Sequence, residues 1–207
     1  MTLVWCLLAG MAQAQPQPIR VAVLENAPPL GYRDAEGNLT GFAINIARAL
    51  CAEIGARCEF EATRLESLIE RLAAGYFDVA AIGLLNTPER SQKVLFTKPV
   101  YRSVTLWVSR PGIQPGDLGA RISIFRGSAH ETYAKAQHWQ VIGAPTEDEM
   151  IEQLAAGVAQ GAIAPLMTSL SLQKRPVFQQ LGLKVTVLQQ PELAGNASFA
   201  INPLRAE

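Results

Sequence analysis

Short apolar runs alternate with amphipathic stretches from Ile19 onward, and the alternation breaks once, at Tyr101–Ser109 (YRSVTLWVS). Before the break come IRVAVLE (Ile19–Glu25), a stretch from Gly41 to Ile54 that puts Phe42, Ile46, Ala49 and Leu50 on one helical face, CEFEAT from Cys58, a helical pattern over Leu65–Ala74, and DVAAIG (Asp78–Gly83). Runs of four to eight apolar residues read as strands and the longer 3.6-period stretches as helices. The order is βαβαβ, which predicts a parallel sheet with right-handed crossovers. After the break the pattern restarts: ISIFRG, a helix from Ala129 to about Gln137, WQVIGA, a helix over Asp148–Ala156, GAIAP, a helix from Leu166 to about Gln173, and KVTVLQ. Two βα sets around an extended segment predict an α/β protein of two lobes, with Pro111–Gly116 as the crossing point.

The junction after DVAAIG carries the first chemical signal. Thr87-Pro88 is a helix start, a hydroxyl N-cap followed by proline at the first helical position, which places Arg90 in the first turn. That end of a helix dipole is positive, so a cation there needs an anion beside it, whether Glu89, Asp78 or a ligand. Strand end, capped helix and arginine together form a pocket at the carboxyl edge of a parallel sheet, where open α/β folds bind small molecules. A guanidinium can hold a carboxylate there through two parallel hydrogen bonds.

A second anion donor is Arg126-Gly127-Ser128-Ala129, where a strand runs into Gly127 and a helix begins with Ser128 as N-cap. Backbone N–H groups of Ser128 and Ala129 are expected to point into the cleft, as anion-binding helix starts do. Arg64 and His130 lie near cleft-forming ends and are read as surface residues.

Composition narrows the function classes. With 18 basic and 18 acidic residues and no basic run, nothing points to nucleic acid or an anionic membrane surface. Phosphate-loop and zinc-ligand spacings are absent, so neither cofactor nor metal is expected. MTLVWCLLAGMAQA is an apolar run ending in the small-x-small pattern Ala12-Gln13-Ala14, a secretory signal with cleavage expected after Ala14 although a positive n-region is missing. Lipid attachment at Cys6 is disfavoured by Trp5, where a small residue is needed. Cleavage leaves Cys51 and Cys58, which are either a bridged pair in an exported chain or two buried thiols.

PPLGYRDAEGNLTGF (Pro28–Phe42), LAAGYFDVAAIGLLNTPERSQKVLFTKPVY (Leu72–Tyr101), DLGARISIFRGSAHETY (Asp117–Tyr133) and EDEMIEQLAAG (Glu147–Gly157) stand in this order, and in these blocks the chain resembles the bacterial extracellular solute-binding proteins of family 3, the periplasmic polar amino-acid-binding type. The resemblance covers roughly residues 19 to 201. It implies a type II periplasmic-binding-protein fold, two parallel-type sheets flanked by helices and joined by hinge strands. Residues 19–109 with 192–207 would form the first lobe and 110–191 the second, ASFAIN (Ala197–Asn202) being the returning hinge strand. Relatives usually continue with one or two helices that pack on the first lobe, whereas this sequence stops at Glu207; either the sequence is a fragment or the lobe is short, and a missing helix is expected to expose an apolar face. Some relatives carry a short-range disulfide, which favours the Cys51–Cys58 bridge.

The resemblance also assigns the ligand site: Arg90 and the Ser128-Ala129 helix start for a carboxylate, with Gly83, Leu85, Leu65, Glu25, Asn26 and Pro165 around it. In relatives an acidic residue pairs with the ligand ammonium at the position that is Pro165 here, a hydroxyl is frequent where Leu85 stands, and large rings are common at Ala27 and Leu65. The site is therefore ill suited to a free α-amino acid, with Glu25 as the one replacement countercharge. The implied role is a monomeric solute receptor that hands a small carboxylate or amino-acid-like ligand to the membrane permease of an ABC transporter. A sensing domain is the alternative. A dehydratase-like enzyme on the same fold is the minor one, with Glu25 and His130 as its only acid or base candidates and no catalytic residue assigned.

Overall fold

The computed structural model describes residues 17–205; the expected signal segment lies outside the described residues. Strand β1 (Ile19–Val23) is followed by a small antiparallel meander of β2 (Asn26–Ala27), β3 (Gly31–Arg33) and β4 (Leu39–Thr40). Then come α1 (Phe42–Glu53), β5 (Cys58–Ala62), α2 (Leu65–Ala73), β6 (Val79–Leu85), α3 (Pro88–Ser91), β7 (Leu95–Phe96) and β8 (Tyr101–Ser103). The second half runs β9 (Thr105–Ser109), β10 (Arg121–Phe125), α4 (Ala129–Ala136), β11 (Gln140–Ala144), α5 (Glu147–Ala155), β12 (Gly161–Pro165), α6 (Leu166–Leu172), α7 (Pro176–Gln180), β13 (Lys184–Val187) and β14 (Gly195–Ile201).

The first sheet has the order β5-β1-β6-β14-β7, with β8 also on β14, and the second the order β11-β10-β12-β9-β13. Within each, the βα-connected strands pair parallel, while β14, β9 and β13 join antiparallel. Both sheets are thus mixed, a parallel core edged by the strands that pass between lobes. Because β8 pairs into the first sheet and β9 into the second, the chain crosses at Val104, not at Pro111–Gly116. It returns through a 3₁₀ turn at Pro191–Leu193.

Helices cover both faces of each sheet, so the strands are apolar on both sides. On one side of the first sheet Leu68 and Leu72 of α2 pack with Phe77, Ala80, Ile82 and Leu84. On the other, Ala43, Ile44 and Ala47 of α1 pack with Val21, Val23 and Phe199. The buried face of α1 is therefore this small-residue stripe, whereas Phe42, Ala49 and Leu50 are exposed and Ile46 is half-buried. In the second lobe Met150 and Leu154 of α5 pack under Val108, Ala162 and Ala164, and Trp107, Ile122, Ile124 and Ile163 form the opposite core with Ala134 of α4.

Cys51 in the last turn of α1 is bridged to Cys58 at the start of β5, across a Cα–Cα distance of 6.2 Å. Gly55, at φ 63, makes the intervening reversal. Among the described residues no helix is long and apolar enough to cross a membrane.

Candidate functional site

Three contacts close the first lobe onto the second. Asn26 Nδ2 donates to Asp148 Oδ2 at 2.9 Å, Arg126 stands 3.9 Å from Glu66, and Arg90 Nη2 donates to the Gly127 carbonyl at 2.9 Å. Gly127 permits the approach: its φ is 73, and a Cβ there would lie 2.5 Å from Glu66 Cα and 2.8 Å from Glu66 N. Only a residue without a side chain lets the start of α2 come so near.

Between the lobes lies a cavity of about 80 Å³. The first lobe gives it Leu24, Ala27, Leu30, Leu65 and the strand end Ile82–Leu85, together with Arg90 and Tyr101. Phe125, Ser128, Ala129, His130, Pro165 and Thr168 come from the second lobe, and Ser103 from beside the crossing. Most of the wall is apolar; the polar groups are hydroxyls, one imidazole and one guanidinium, with no carboxylate among them.

Arg90 reaches this wall as the cap chemistry directs. Thr87 Oγ1 accepts from the Arg90 backbone N–H at 3.3 Å, which fixes the first turn of α3. The guanidinium, 8% exposed, donates from Nη1 to the Leu85 carbonyl at 3.1 Å in addition to Gly127. Burial pulls its pKa below the usual arginine value, and the Glu89 charge only partly opposes this. Two of its five N–H donors are used, and no carboxylate pairs with it among the described residues. Asp78, a conceivable partner, is taken by Arg20 at 3.0 Å and Arg205 at 2.9 Å.

The helix start opposite is less open than the sequence suggests. Ser128 is indeed the N-cap, its Oγ accepting from Glu131 N at 3.1 Å, but its own N–H already donates to the Phe125 carbonyl at 3.2 Å. Glu131 Oε2 in turn accepts from Gly127 N at 2.7 Å. The Ala129 N–H has no acceptor among the described residues, so Ala129 rather than Ser128 offers the backbone donor.

Gly83, Leu85, Leu65 and Pro165 all line the cavity. At Gly83, φ 79, a Cβ would stand 2.8 Å from the Tyr101 ring, so glycine there makes room for the tyrosine. Pro165 ends β12, faces Thr105 across the ladder and occupies the N-cap position of α6. Glu25 and Asn26 stand elsewhere, in a recess of about 790 Å³ outside the cavity. Glu25 is spent on Arg33, 2.7 Å away and half-exposed, so it offers the cavity no countercharge; Asn26 is a tie between lobes. Arg64 is exposed at the same recess.

His130 departs from its surface reading. It is 7% exposed, on the first turn of α4, with Nε2 at 2.7 Å from Thr105 Oγ1. Burial, then the Arg90 charge, push its pKa down to about 4, so the imidazole is neutral at pH 7. Tyr101, Ser103 and Thr168 were not singled out by sequence; burial pushes the Tyr101 phenol up to about 12, keeping it protonated. A Tyr-x-Ser flanking the break in pattern was the one available hint, since that break is where the chain passes the cleft. Among the described residues no three His, Cys, Asp or Glu side chains gather as a metal ion would require.

The model of the bacterial extracellular solute-binding proteins, family 3, matches residues 19–160. A putative ABC transporter arginine-binding protein 2 of Escherichia coli (strain K12) is 30% identical over 148 residues, 69% of this chain and 61% of that protein. This chain thus spans less than two thirds of that relative. The histidine-binding periplasmic protein of Salmonella typhimurium is 29% identical over 175 residues, covering 79% of this chain and 67% of the relative. Among solved structures, an ancestral arginine-binding protein bound to glutamine shares the fold at a TM-score of 0.80 and 24% identity, covering 92% of this chain and 86% of that one. An ancestral amino acid-binding protein described as a precursor of cyclohexadienyl dehydratase does so at 0.77 and 22%, covering 90% and 82%.

Proposed function

The chain belongs to the bacterial extracellular solute-binding proteins of family 3, and from that premise we propose that it is a periplasmic receptor for a small carboxylate without an α-amino group, which it delivers to the membrane permease of an ABC-type uptake system. The observation that carries this reading is the buried Arg90 guanidinium facing a cavity that contains no acidic side chain. Such a site has one charge to neutralise, and a carboxylate does so.

An amino acid brings an ammonium as well. Leaving that ion buried and unpaired costs several kcal/mol, against roughly 8 kcal/mol for a micromolar complex. Pro165 cannot supply the countercharge. The acids of the outer recess are engaged, Glu25 with Arg33 at 2.7 Å and Asp148 with Arg175 at 2.8 Å. The arginine and histidine in the names of the relatives are therefore not carried over to this chain.

Binding would proceed by hinge closure about Val104 and the turn at Pro191–Leu193. A carboxylate between Arg90 of one lobe and the Ala129 N–H of the other gains both sets of charge-assisted bonds, each worth roughly 1.5–3 kcal/mol, only when the lobes meet. We read a receptor rather than a dehydratase because Glu25, one of the two acid or base candidates, is paired outside the cavity, and His130 alone supplies no acid for the leaving group at pH 7.

The test is thermal unfolding against two panels, carboxylates without an amine and amino acids including arginine and histidine. A ligand at a hundred times its dissociation constant adds roughly 2.7 kcal/mol, which raises the midpoint by several degrees. Stabilisation by the first panel and its loss in Arg90→Ala are expected; stabilisation by amino acids alone would overturn the reading.

A further inference from the structure

The hydrogen positions at one end of the cavity narrow the ligand class, on the footing of the carboxylate reading above. Thr105, 0% exposed at the start of β9, has one hydroxyl proton, and it is donated to the Leu193 carbonyl. The same oxygen lies 2.7 Å from His130 Nε2. With its proton committed, the hydroxyl can only accept, so Nε2 is the protonated nitrogen and Nδ1 of the neutral ring carries a bare lone pair. Among the described residues nothing donates to Nδ1. Nor is Nδ1 sealed inside the protein, because the buried polar side-chain atoms without a partner are Arg110 Nε and Glu147 Oε2. His130 lines the interlobe cavity together with Arg90, whose charge acts on the imidazole.

A buried acceptor next to a buried cation asks for a ligand with two features: an anion for the guanidinium and a neutral hydrogen-bond donor for the imidazole. We propose that the ligand is a small hydroxy-carboxylate, its carboxylate on Arg90 and its hydroxyl donating to His130 Nδ1. A keto acid would set a carbonyl oxygen against the Nδ1 lone pair, two acceptors with no proton between them. An unsubstituted acid would offer Nδ1 no proton, and an ammonium would add a second cation to a cavity without acids. The hydroxyl oxygen of the ligand can in turn accept from Thr168, which lines the same cavity.

Calorimetric titration of the protein with lactate, propionate, pyruvate and alanine, acids of one size that differ at a single substituent, tests this. Lactate is expected to bind about tenfold more tightly than propionate, with pyruvate no better than propionate and alanine weakest. His130→Gln keeps an N–H for Thr105 while moving its oxygen away from the Nδ1 position. The variant should bind lactate no more tightly than propionate. If that variant does not fold, the wild-type ratio of lactate to propionate decides. Equal binding of lactate and propionate by the wild type, both lost in Arg90→Ala, would overturn the hydroxyl inference and leave the carboxylate reading standing. A lactate preference that survives His130→Gln would overturn the role of His130. Preference for alanine, or no binding of any of the four, would overturn the carboxylate reading and this inference with it.

Discussion

In the first lobe Asp78 is 3% exposed and lies among Arg20 and Arg205, whereas in the second Glu147, 1% exposed, has among the described residues only the Ser171 hydroxyl, at 2.8 Å, and no partner for its Oε2. Burial works on both carboxyl groups in the same direction, toward protonation. At Asp78 it is outweighed by hydrogen bonds from the Arg20 side chain and backbone and by the two guanidinium charges, so the pKa falls below the usual value. At Glu147 burial prevails over the Ser171 bond and the Arg175 charge, and the pKa rises to about 7. The cleft repeats the division, with a charged Arg90 on the first lobe and a neutral His130 on the second. Depth does not decide the state of a buried group; the partners provided for it do. Each lobe consequently brings a different kind of group to the cavity wall, one charged and one neutral.

The contrast is broken most forcefully at Asp78. Asp78→Ala strands two guanidinium groups and the Arg20 N–H, and because both arginines are half-exposed the expected loss is about 3 kcal/mol, at the low end for a broken buried pair. Urea unfolding at pH 7 measures it, and a midpoint like that of the wild type would refute the assignment. In the wild type this contribution is fully present above the unfolded-state pKa near 3.8 and is lost as the pH falls through the lower folded value.

Glu147 has the opposite sign. Between about pH 4.5 and 7 the folded state holds a proton that the unfolded state has released, so stability falls as the pH rises across that window. The expected decline is roughly 2–3 kcal/mol, and Glu147→Gln should flatten it. Denaturation midpoints of the two proteins taken across the window check this; parallel profiles would place the proton elsewhere. The smallest effect concerns the seam between lobes. Asn26→Ala removes one crossing hydrogen bond, worth about 1 kcal/mol, and should enlarge the radius measured by small-angle scattering while leaving the unfolding of each lobe unchanged.

The parts of this molecule legible in sequence are those written in local rules. Thr87-Pro88 and Ser128 announced their caps, and the apolar runs announced the strands, because a cap or a pleat needs only near neighbours. The crossing was misplaced because YRSVTLWVS is uniformly strand-forming and nothing in propensity marks Val104, where one sheet gives way to another. The buried face of α1 is not marked by its large residues, because the packing against Val21, Val23 and Phe199 takes Ala43, Ile44 and Ala47 instead. His130 was misjudged for a similar reason: which side of α4 meets the cleft depends on how the two lobes stand, and a polar residue on a short helix carries no sign of that. Arg90 and Ala129 were legible as residues of the cavity wall, whereas Glu25 lost its place to Arg33, eight residues on in a meander whose turn the sequence pattern did not resolve.

The position of β14 bears on how the chain is made. Among the described residues it is the last strand in sequence, yet it lies inside the first sheet, between β6 and β7, and it also holds β8. A nascent chain that has reached Leu193 already contains every strand of the second sheet, but the first is still missing an inner member. The sheet of the first lobe is therefore completed after that of the second during synthesis. Until β14 arrives, the edge of β6 has no partner to close it, and a chaperone or an export channel that keeps this edge covered would matter more to the first lobe than to the second.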